Sequence, residues 1–328
     1  MNGPRWLPTM LLISIFQVIT FYQVIFVQDG TLNTAVGVVF VIFTAIEWLW
    51  AVLSTIILSK SSLALECIAF FLTGISLVIT ASCGTGLLIK QFVAFVIGFG
   101  CYVGLLYVVQ NTERAEKFRK PMAAASIVLL LITLVLAKNI NGAYNWLVIG
   151  GLSIQTSELV KVAFIFVGAA TLEKLQSSRS LTQYVIFAVI CIGLLFLMRD
   201  LGTALIFFFT FVVLAFMRSG DVRTILFLIL GAAMLAGLIV LMRSDYIMKR
   251  FATYRHVWDF ADGKGYQQTR VLTYSVSGGW LGLGIGNGHL RDIFAATEDL
   301  VFGVLCEEWG ILIAFLVAWA FIFIFIHS

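Results

Sequence analysis

Charged side chains are scarce in this 328-residue chain. Asp, Glu, Lys and Arg together make up 12% of it, where a soluble domain carries roughly 25%. Hydrophobic residues account for 61%, and the mean hydropathy is +1.04. This composition excludes an ordinary soluble domain and indicates a multi-spanning membrane protein. The net charge of +4 says little about partners, because the placement of Lys and Arg matters more than their sum, and no nucleic-acid partner is expected.

Metal-ligating and redox-active residues are also few. The five cysteines include no C-x-x-C pair, and the three histidines are scattered along the chain. This pattern gives little support to a metal centre or a disulfide framework, so we interpret the cysteines as small buried side chains. No dedicated cofactor is predicted, and only a divalent cation is left open.

Long apolar runs dominate what the chain does contain. Runs of about 17–25 apolar residues are long enough to cross a bilayer as helices. We therefore predict an all-α, polytopic membrane helix bundle of about ten helices, with a long extracytoplasmic loop before the last. The first run lacks a small-residue cleavage site, which favours a retained helix over a removed signal peptide. The predicted spans are 7–27, 34–58, 63–80, 88–109, 122–137, 157–173, 181–198, 203–217, 222–242 and 300–326.

The distribution of Lys and Arg predicts the orientation of these helices. With a cytoplasmic N-terminus, the inside segments hold ten basic residues and the short outside segments hold three. The positive-inside rule prefers this arrangement, and the long segment 243–299 is exempt from it. The chemistry is therefore expected on the outer side of the membrane.

The outer segment 138–161 carries polar residues that a simple turn does not need. In "NGAYNWLVIGGLSIQTSELVK", Glu158 and Lys161 share one helix face, and Trp146 sits at the membrane surface. A neutralised pair that anchors a helix end, beside an interfacial Trp, explains them as well as a binding role does. In "RDLGTALIF", Asp200 follows Arg199, which by itself favours a tight turn with a local ion pair.

The long outer segment 243–299 is basic and rich in Gly. Arginine forks match phosphate oxygens, so its cations could hold a phosphate-bearing ligand. The alternative is an interfacial loop with snorkelling basic side chains. The basic residues concerned are Lys249, Arg250, Arg255, Lys264 and Arg270.

Acidic residues interrupt the last apolar run in "ATEDLVFGVLCEEWG". Asp299 lies at its outer end, where it suits the role of a general base. Glu307 and Glu308 lie more than two turns deeper. A carboxylate in mid-bilayer costs about 2.5–3.5 kcal/mol, so we expect at least one of them to point into the bundle and find a partner, with Lys161 and the loop arginines as candidates.

Four ordered blocks of the chain resemble the SEDS family (shape, elongation, division and sporulation), which includes RodA and FtsW. They are "NGAYNWLVIGGLSIQTSELVKV", "RDLGTALIF", "GYQQTRVLTYSVSGGWLGLGIGN" and "TEDLVFGVLCEEWG". The last keeps the family's spacing from Asp to the paired Glu. The resemblance implies a peptidoglycan glycosyltransferase that polymerises lipid II at the outer face of the bacterial cytoplasmic membrane, alongside a class B penicillin-binding protein and among membrane lipids.

The resemblance also implies residue roles. Asp299 falls on the family's essential Asp and would deprotonate the acceptor sugar's 4-hydroxyl, which attacks the donor's anomeric carbon with inversion. Arg250 would balance the charge of the departing undecaprenyl pyrophosphate. Further matched positions, expected to bind substrate, are Trp146, Glu158, Lys161, Asp200, Glu307 and Glu308.

The chain departs from the family pattern at several places. Thr297 and Glu298 replace the residues before the essential Asp, so a second acid adjoins the base and offers an alternative to it. Asn145 and Thr156 replace an Arg and a Pro of the first block, and two residues are missing ahead of Gly263.

The ends of the chain differ from the family as well. Residues 1–62 are predicted to form two extra N-terminal transmembrane helices, and residues 63–328 a SEDS-like membrane domain without the family's last two helices. Two other functions therefore stay open, a non-catalytic scaffold for a penicillin-binding protein and a flippase for lipid-linked precursors.

Overall fold

A computed structural model describes most of the chain, and membrane-length helices dominate it. It covers residues 6–27, 33–57, 63–140, 143–149, 152–172, 178–219 and 256–327, with three isolated positions between 226 and 230. In these residues, six helices are long and apolar enough to cross a membrane, and two shorter apolar helices accompany them. The chain is therefore a multi-pass membrane protein built as a helix bundle.

Ten α-helices and three short strands make up the described residues. The helices are α1 Leu7–Val27, α2 Thr34–Ile57, α3 Ala64–Cys83, α4 Thr85–Val109, α5 Thr112–Leu136, α6 Thr156–Leu172, α7 Ser178–Leu197, α8 Leu201–Ser219, α9 Tyr266–Ser277 and α10 Val301–His327. The strands are β1 Lys138–Ile140, β2 Ala143–Ile149 and β3 Leu152–Gln155. Short 3-10 turns cover Val257–Phe260 and Leu290–Asp292.

Nine of the ten predicted spans coincide with a helix, which confirms the helical bundle. The remaining span, 222–242, lies almost entirely outside the described residues. The largest boundary difference is in α5, which begins at Thr112 rather than at 122. The side chain of Asn111 caps this helix by accepting hydrogen bonds from the backbone N–H groups of Glu113 and Arg114, at 2.9 and 3.2 Å. Hydropathy locates the membrane, whereas the capping residue determines where the helix begins.

A small antiparallel sheet of order β1-β2-β3 lies between α5 and α6, in a segment for which no strands were predicted. Trp146 pairs with Lys138 on one side and with Gln155 on the other. The run "AYNWLVI" is rich in aromatic and β-branched residues, and a Gly-Gly pair separates it from "LSIQ", which is a hairpin signal.

The chain divides into two compact units, of which the first comprises residues 1–99 and 248–328. In it, α1 packs on α2 and α3, and α3 packs on α10. Helices α1 and α2 form an N-terminal helical hairpin, and a buried cluster joins this hairpin to α3. The members of the cluster are Trp6, Met10, Ile13, Ala51, Leu63 and Cys67.

The second unit comprises residues 100–247. Its main contacts join α5 to α6 and α7 to α8. Phe164 lies at its centre, with ring centroids 4.6 Å from Phe207 and 5.6 Å from Phe187. The sheet joins this unit through α5 and α6.

Candidate functional site

The last helix is broken in the middle. Gly310 has φ 78° and ψ 173°, so α10 consists of two helical segments that meet at this residue. The segment before the break, Val301–Trp309, spans roughly 14 Å at about 1.5 Å per residue. A break inside a membrane helix leaves backbone N–H and C=O groups without helical partners, and these need partners from elsewhere.

The Gly-rich segment 278–284 supplies those partners. The N–H of Ile311 donates to the carbonyl of Gly279 at 3.0 Å. In the other direction, the N–H groups of Leu283 and Gly284 donate to the carbonyls of Glu307 and Glu308, at 2.9 and 3.0 Å. The segment thus forms hydrogen bonds with α10 on both sides of the break.

Glycine is required where the two backbones meet. Gly282 has φ 83°, and a Cβ there would collide with the carbonyl oxygen of Glu308. A Cβ at Gly278, similarly, would collide with the carbonyl oxygen of Cys306. The Gly-rich sequence therefore serves a close backbone approach to α10.

Glu307 is fully buried and anchors the loop that precedes α10. Its two carboxylate oxygens accept hydrogen bonds from the backbone N–H groups of His289 and Leu290, both at 2.8 Å. The expectation that a buried acid points inward is confirmed. Its described partners are backbone donors rather than the expected cations.

Glu308 is also buried and reaches a different part of the same unit. The hydroxyl of Ser82 on α3 lies 3.5 Å from its Oε2, and Arg291 Nη1 lies 3.5 Å from the carbonyl oxygen of Ser82. Its Oε1 has no hydrogen-bond partner among the described residues. Ser82 therefore lies between the acid of α10 and a basic residue of the loop.

Asp299 is held by an unusual turn just before α10. Ala295 adopts a left-handed conformation with φ 65°, which non-glycine residues rarely occupy. Its carbonyl oxygen accepts the N–H groups of Glu298, Asp299 and Leu300 at 3.1–3.2 Å. Asp299 and Glu298 are both exposed, so their carboxylates are accessible to a ligand. This turn was missed in the sequence, because nothing about an alanine signals positive φ.

The basic residues of the long loop are described only in part. Arg270 lies on α9, where its guanidinium lies 5.1 Å from the ring centroid of Tyr266. Lys264 is exposed in the turn before α9. The predicted site residue Arg250 lies outside the described residues, as do Lys249 and Arg255, so their roles remain predictions.

Asp200 organises the polar residues of the second unit. Its Oδ2 accepts a hydrogen bond from Asn145 Nδ2 at 2.9 Å and lies 3.5 Å from Ser157 Oγ. Its Oδ1 accepts the N–H of Thr203 at 3.2 Å, which caps α8. One carboxylate thus joins β2 and the starts of α6 and α8. Asn145, a departure from the family pattern, supplies the shortest of these bonds.

Glu158 and Lys161 form the ion pair that their spacing predicts. Lys161 Nζ lies 2.7 Å from Glu158 Oε1 on the first turns of α6. The side chain of Lys161 is 26% exposed and that of Glu158 is 56% exposed, so water or a ligand can reach both. Trp146 is half-buried on the central strand of the sheet.

The predicted site residues thus form two groups. Asp299, Glu307 and Glu308 belong to α10 and its preceding turn, with Arg270 on the neighbouring helix of the same unit. The members of the other group share the second unit, and they are Trp146, Glu158, Lys161 and Asp200.

Comparison with known sequences identifies the family. The profile of the cell cycle protein family named for FtsW, RodA and SpoVE matches residues 67–328. The chain therefore belongs to this family, which confirms the resemblance found in the sequence. Helices α1 and α2 precede the matched residues.

Curated relatives agree with this assignment. "Probable peptidoglycan glycosyltransferase FtsW" of Pseudoalteromonas translucida is 35% identical over 191 residues, which cover 56% of this chain and 47% of the relative. The protein of the same name from Legionella pneumophila is 31% identical over 233 residues, which cover 66% and 59% of the two chains. The chain spans about half the length of the curated relatives it matches.

Solved structures share the fold. A chain from a peptidoglycan synthase complex that coordinates polymerization and crosslinking aligns with a TM-score of 0.54 and 26% identity, covering 77% of this chain and 73% of that chain. The rod shape determining protein RodA of Thermus thermophilus aligns with a TM-score of 0.50 and 25% identity, covering 79% and 71%.

Proposed function

We propose that this protein is a peptidoglycan glycosyltransferase that polymerises lipid II at the outer face of the bacterial cytoplasmic membrane, with Asp299 as the general base. The observation that carries the proposal is the exposed carboxylate of Asp299 at the start of a broken membrane helix. Two contacts hold the backbone on which this carboxylate stands. The left-handed turn at Ala295 holds its backbone, and Glu307 holds the loop before it.

The chemistry requires one base and one leaving group. Asp299 accepts the proton of the acceptor sugar's 4-hydroxyl as that oxygen forms a bond to the donor's anomeric carbon. The bond from this carbon to the pyrophosphate oxygen breaks on the opposite face, and undecaprenyl pyrophosphate leaves with the electron pair. Arg270 and Arg250 are the proposed partners of the pyrophosphate, since Arg forks match phosphate oxygens.

The other matched positions support this reading through their chemistry. The partly exposed Glu158–Lys161 pair offers both a hydrogen-bond acceptor and a cation to a sugar or phosphate ligand. Trp146 offers an aromatic face. Asp200 holds Asn145, Ser157 and Thr203 in place through its hydrogen bonds. We propose a class B penicillin-binding protein as the partner that cross-links the product, in line with the synthase complex among the structural relatives.

The decisive experiment is polymerisation of labelled lipid II by the purified chain, with and without a class B penicillin-binding protein. Asp299→Asn should abolish the glycan ladder, because the amide cannot accept the proton. Glu298→Gln is the matched control, since this neighbouring acid is also exposed, and its ladder should persist.

The reverse result has a definite meaning. If Glu298→Gln loses the ladder and Asp299→Asn keeps it, Glu298 is the base. If the folded wild-type chain makes no ladder with or without the partner, the catalytic proposal is wrong. Binding of the penicillin-binding protein by Asp299→Asn would then favour a scaffold, and movement of lipid without joining of sugars would favour a flippase.

A further inference from the structure

A cavity lies in the second unit, which comprises residues 100–247. It has a volume of about 310 Å³ and opens between α5, α6 and α7. Arg119 and Lys120 of α5 line it, together with Thr171 of α6 and three residues of α7. These three are Gln183, Tyr184 and Phe187. The cavity therefore combines two cations and several polar groups with an apolar wall.

One buried polar group of the cavity, the hydroxyl of Tyr184, lacks a hydrogen-bond partner among the described residues. Tyr184 is only 4% exposed. Gly168 leaves room for that hydroxyl, since a Cβ there would lie 2.7 Å from it. Arg119 Nη1 reaches Thr171 Oγ1 at 3.4 Å, which is long for a hydrogen bond. A buried hydroxyl without a partner costs free energy that a bound acceptor would recover.

The charge of the lining points to an anion. No described acidic residue lines the cavity. Glu116, which precedes Arg119 by three residues on α5, is not part of the lining. The first turns of α5 are charged and its later turns are apolar, which places Arg119 and Lys120 at the polar edge of a membrane helix. Phospholipid head groups occupy this depth.

We propose that this cavity binds the phosphate of an anionic phospholipid, with Arg119 and Lys120 as its counter-ions and Tyr184 as a hydrogen-bond donor. Basic pockets between membrane helices bind such head groups, and an Arg fork matches two phosphate oxygens. Val167 and Phe187 form an apolar wall of the cavity. This wall can contact the glycerol and upper acyl chain of a lipid, whereas a free phosphate ion has no apolar part to contact it. The site is independent of the glycosyl transfer proposed above.

Native mass spectrometry of the full chain tests the proposal, with phosphatidylglycerol, phosphatidylcholine or inorganic phosphate added to the detergent-solubilised protein. The wild type should retain phosphatidylglycerol preferentially. The double variant Arg119→Gln with Lys120→Gln should lose retention by roughly twenty-five-fold, at about fivefold for each cation near the membrane surface. Tyr184→Phe should weaken retention by about threefold to tenfold through the lost hydrogen bond. Lys117→Gln, an exposed cation of the same helix outside the cavity, should change nothing.

Three results would overturn the proposal. Equal retention by the wild type and by folded cavity variants would place the lipid elsewhere. Equal retention of phosphatidylcholine would indicate apolar binding without recognition of charge. Displacement of the lipid by inorganic phosphate would identify a free-phosphate site instead. If the double variant does not fold, Tyr184→Phe and Arg119→Gln carry the same comparison.

Discussion

The backbone N–H of Leu290 donates to Oε2 of Glu307 at 2.8 Å, so a buried side chain of α10 holds a loop seventeen residues earlier in the chain. The neighbouring N–H of His289 donates to Oε1 of the same carboxylate at 2.8 Å. An acid in a membrane helix is costly unless its oxygens are paired, and here the loop backbone pairs both. Glu307 therefore stabilises the structure that leads to Asp299.

Glu307→Gln tests this role. The amide retains one acceptor oxygen and turns its NH₂ group toward the second N–H, so one bond is lost and two donors face each other. We expect the free energy of unfolding to fall by about 1–3 kcal/mol, measured by denaturation of the purified protein in detergent. Glu298→Gln, an exposed acid, should stay within about 0.5 kcal/mol of the wild type. Equal stability of the two variants would contradict an anchoring role for Glu307.

Gly282→Ala tests the close approach of the Gly-rich segment to the break in α10. The new Cβ would collide with the carbonyl oxygen of Glu308, and φ 83° would add strain. Gly279→Ala is the matched control, because Gly279 also has positive φ but has open space around its Cβ position. The control should lose only about 1–2 kcal/mol, the cost of left-handed backbone. The Gly282 variant should lose clearly more, in the same unfolding assay. Equal losses of unfolding free energy in the two variants would show that glycine is required at 282 only for its positive φ and not for the close approach to α10.

The helices of this fold could be predicted from the sequence, because hydropathy and length are local properties. The partners of the acids could not. At least one of Glu307 and Glu308 was expected to find a partner, with Lys161 and the loop arginines as candidates. Glu307 instead binds two backbone N–H groups, which become available only when the loop folds back on α10. The pairing of Glu158 with Lys161 was predictable because residues three apart share a helix face. Contacts within one helix can be predicted from residue spacing, whereas hydrogen bonds to the backbone of a distant loop cannot.

A further polar pair lies in the N-terminal hairpin, outside the residues matched by the family. Gln17 Nε2 on α1 donates to Glu47 Oε1 on α2 at 2.8 Å, and both residues are almost fully buried. Each single change, Gln17→Leu or Glu47→Leu, leaves one buried polar group unpaired. We therefore expect the double variant to be less destabilised than the sum of the singles.

A double-mutant cycle by unfolding in detergent measures this coupling. Hydrogen bonds between membrane helices contribute about 0.6 kcal/mol on average and up to about 1.7 kcal/mol. The burial of this pair favours the upper part of that range. Ser14→Ala with Trp48→Phe provides a comparison cycle, since Trp48 Nε1 donates to Ser14 Oγ at 3.1 Å in the same hairpin. A coupling near zero for Gln17 and Glu47 would mean that the pair does not hold the hairpin together.

Asp200→Asn separates a structural role of this residue from a substrate-binding one. Asn retains the acceptor that caps α8 at Thr203, but its NH₂ group would face the NH₂ group of Asn145, so the bond at 2.9 Å is lost. Stability should fall by about 1 kcal/mol, and Asp200→Ala, which also loses the cap, should lose about 1 kcal/mol more. A second change, Asn145→Asp in the Asp200→Asn background, reverses the pair and should restore stability. If it restores the lipid II activity as well, Asp200 acts by positioning its neighbours. Restored stability without restored activity would show that the carboxylate itself binds the substrate.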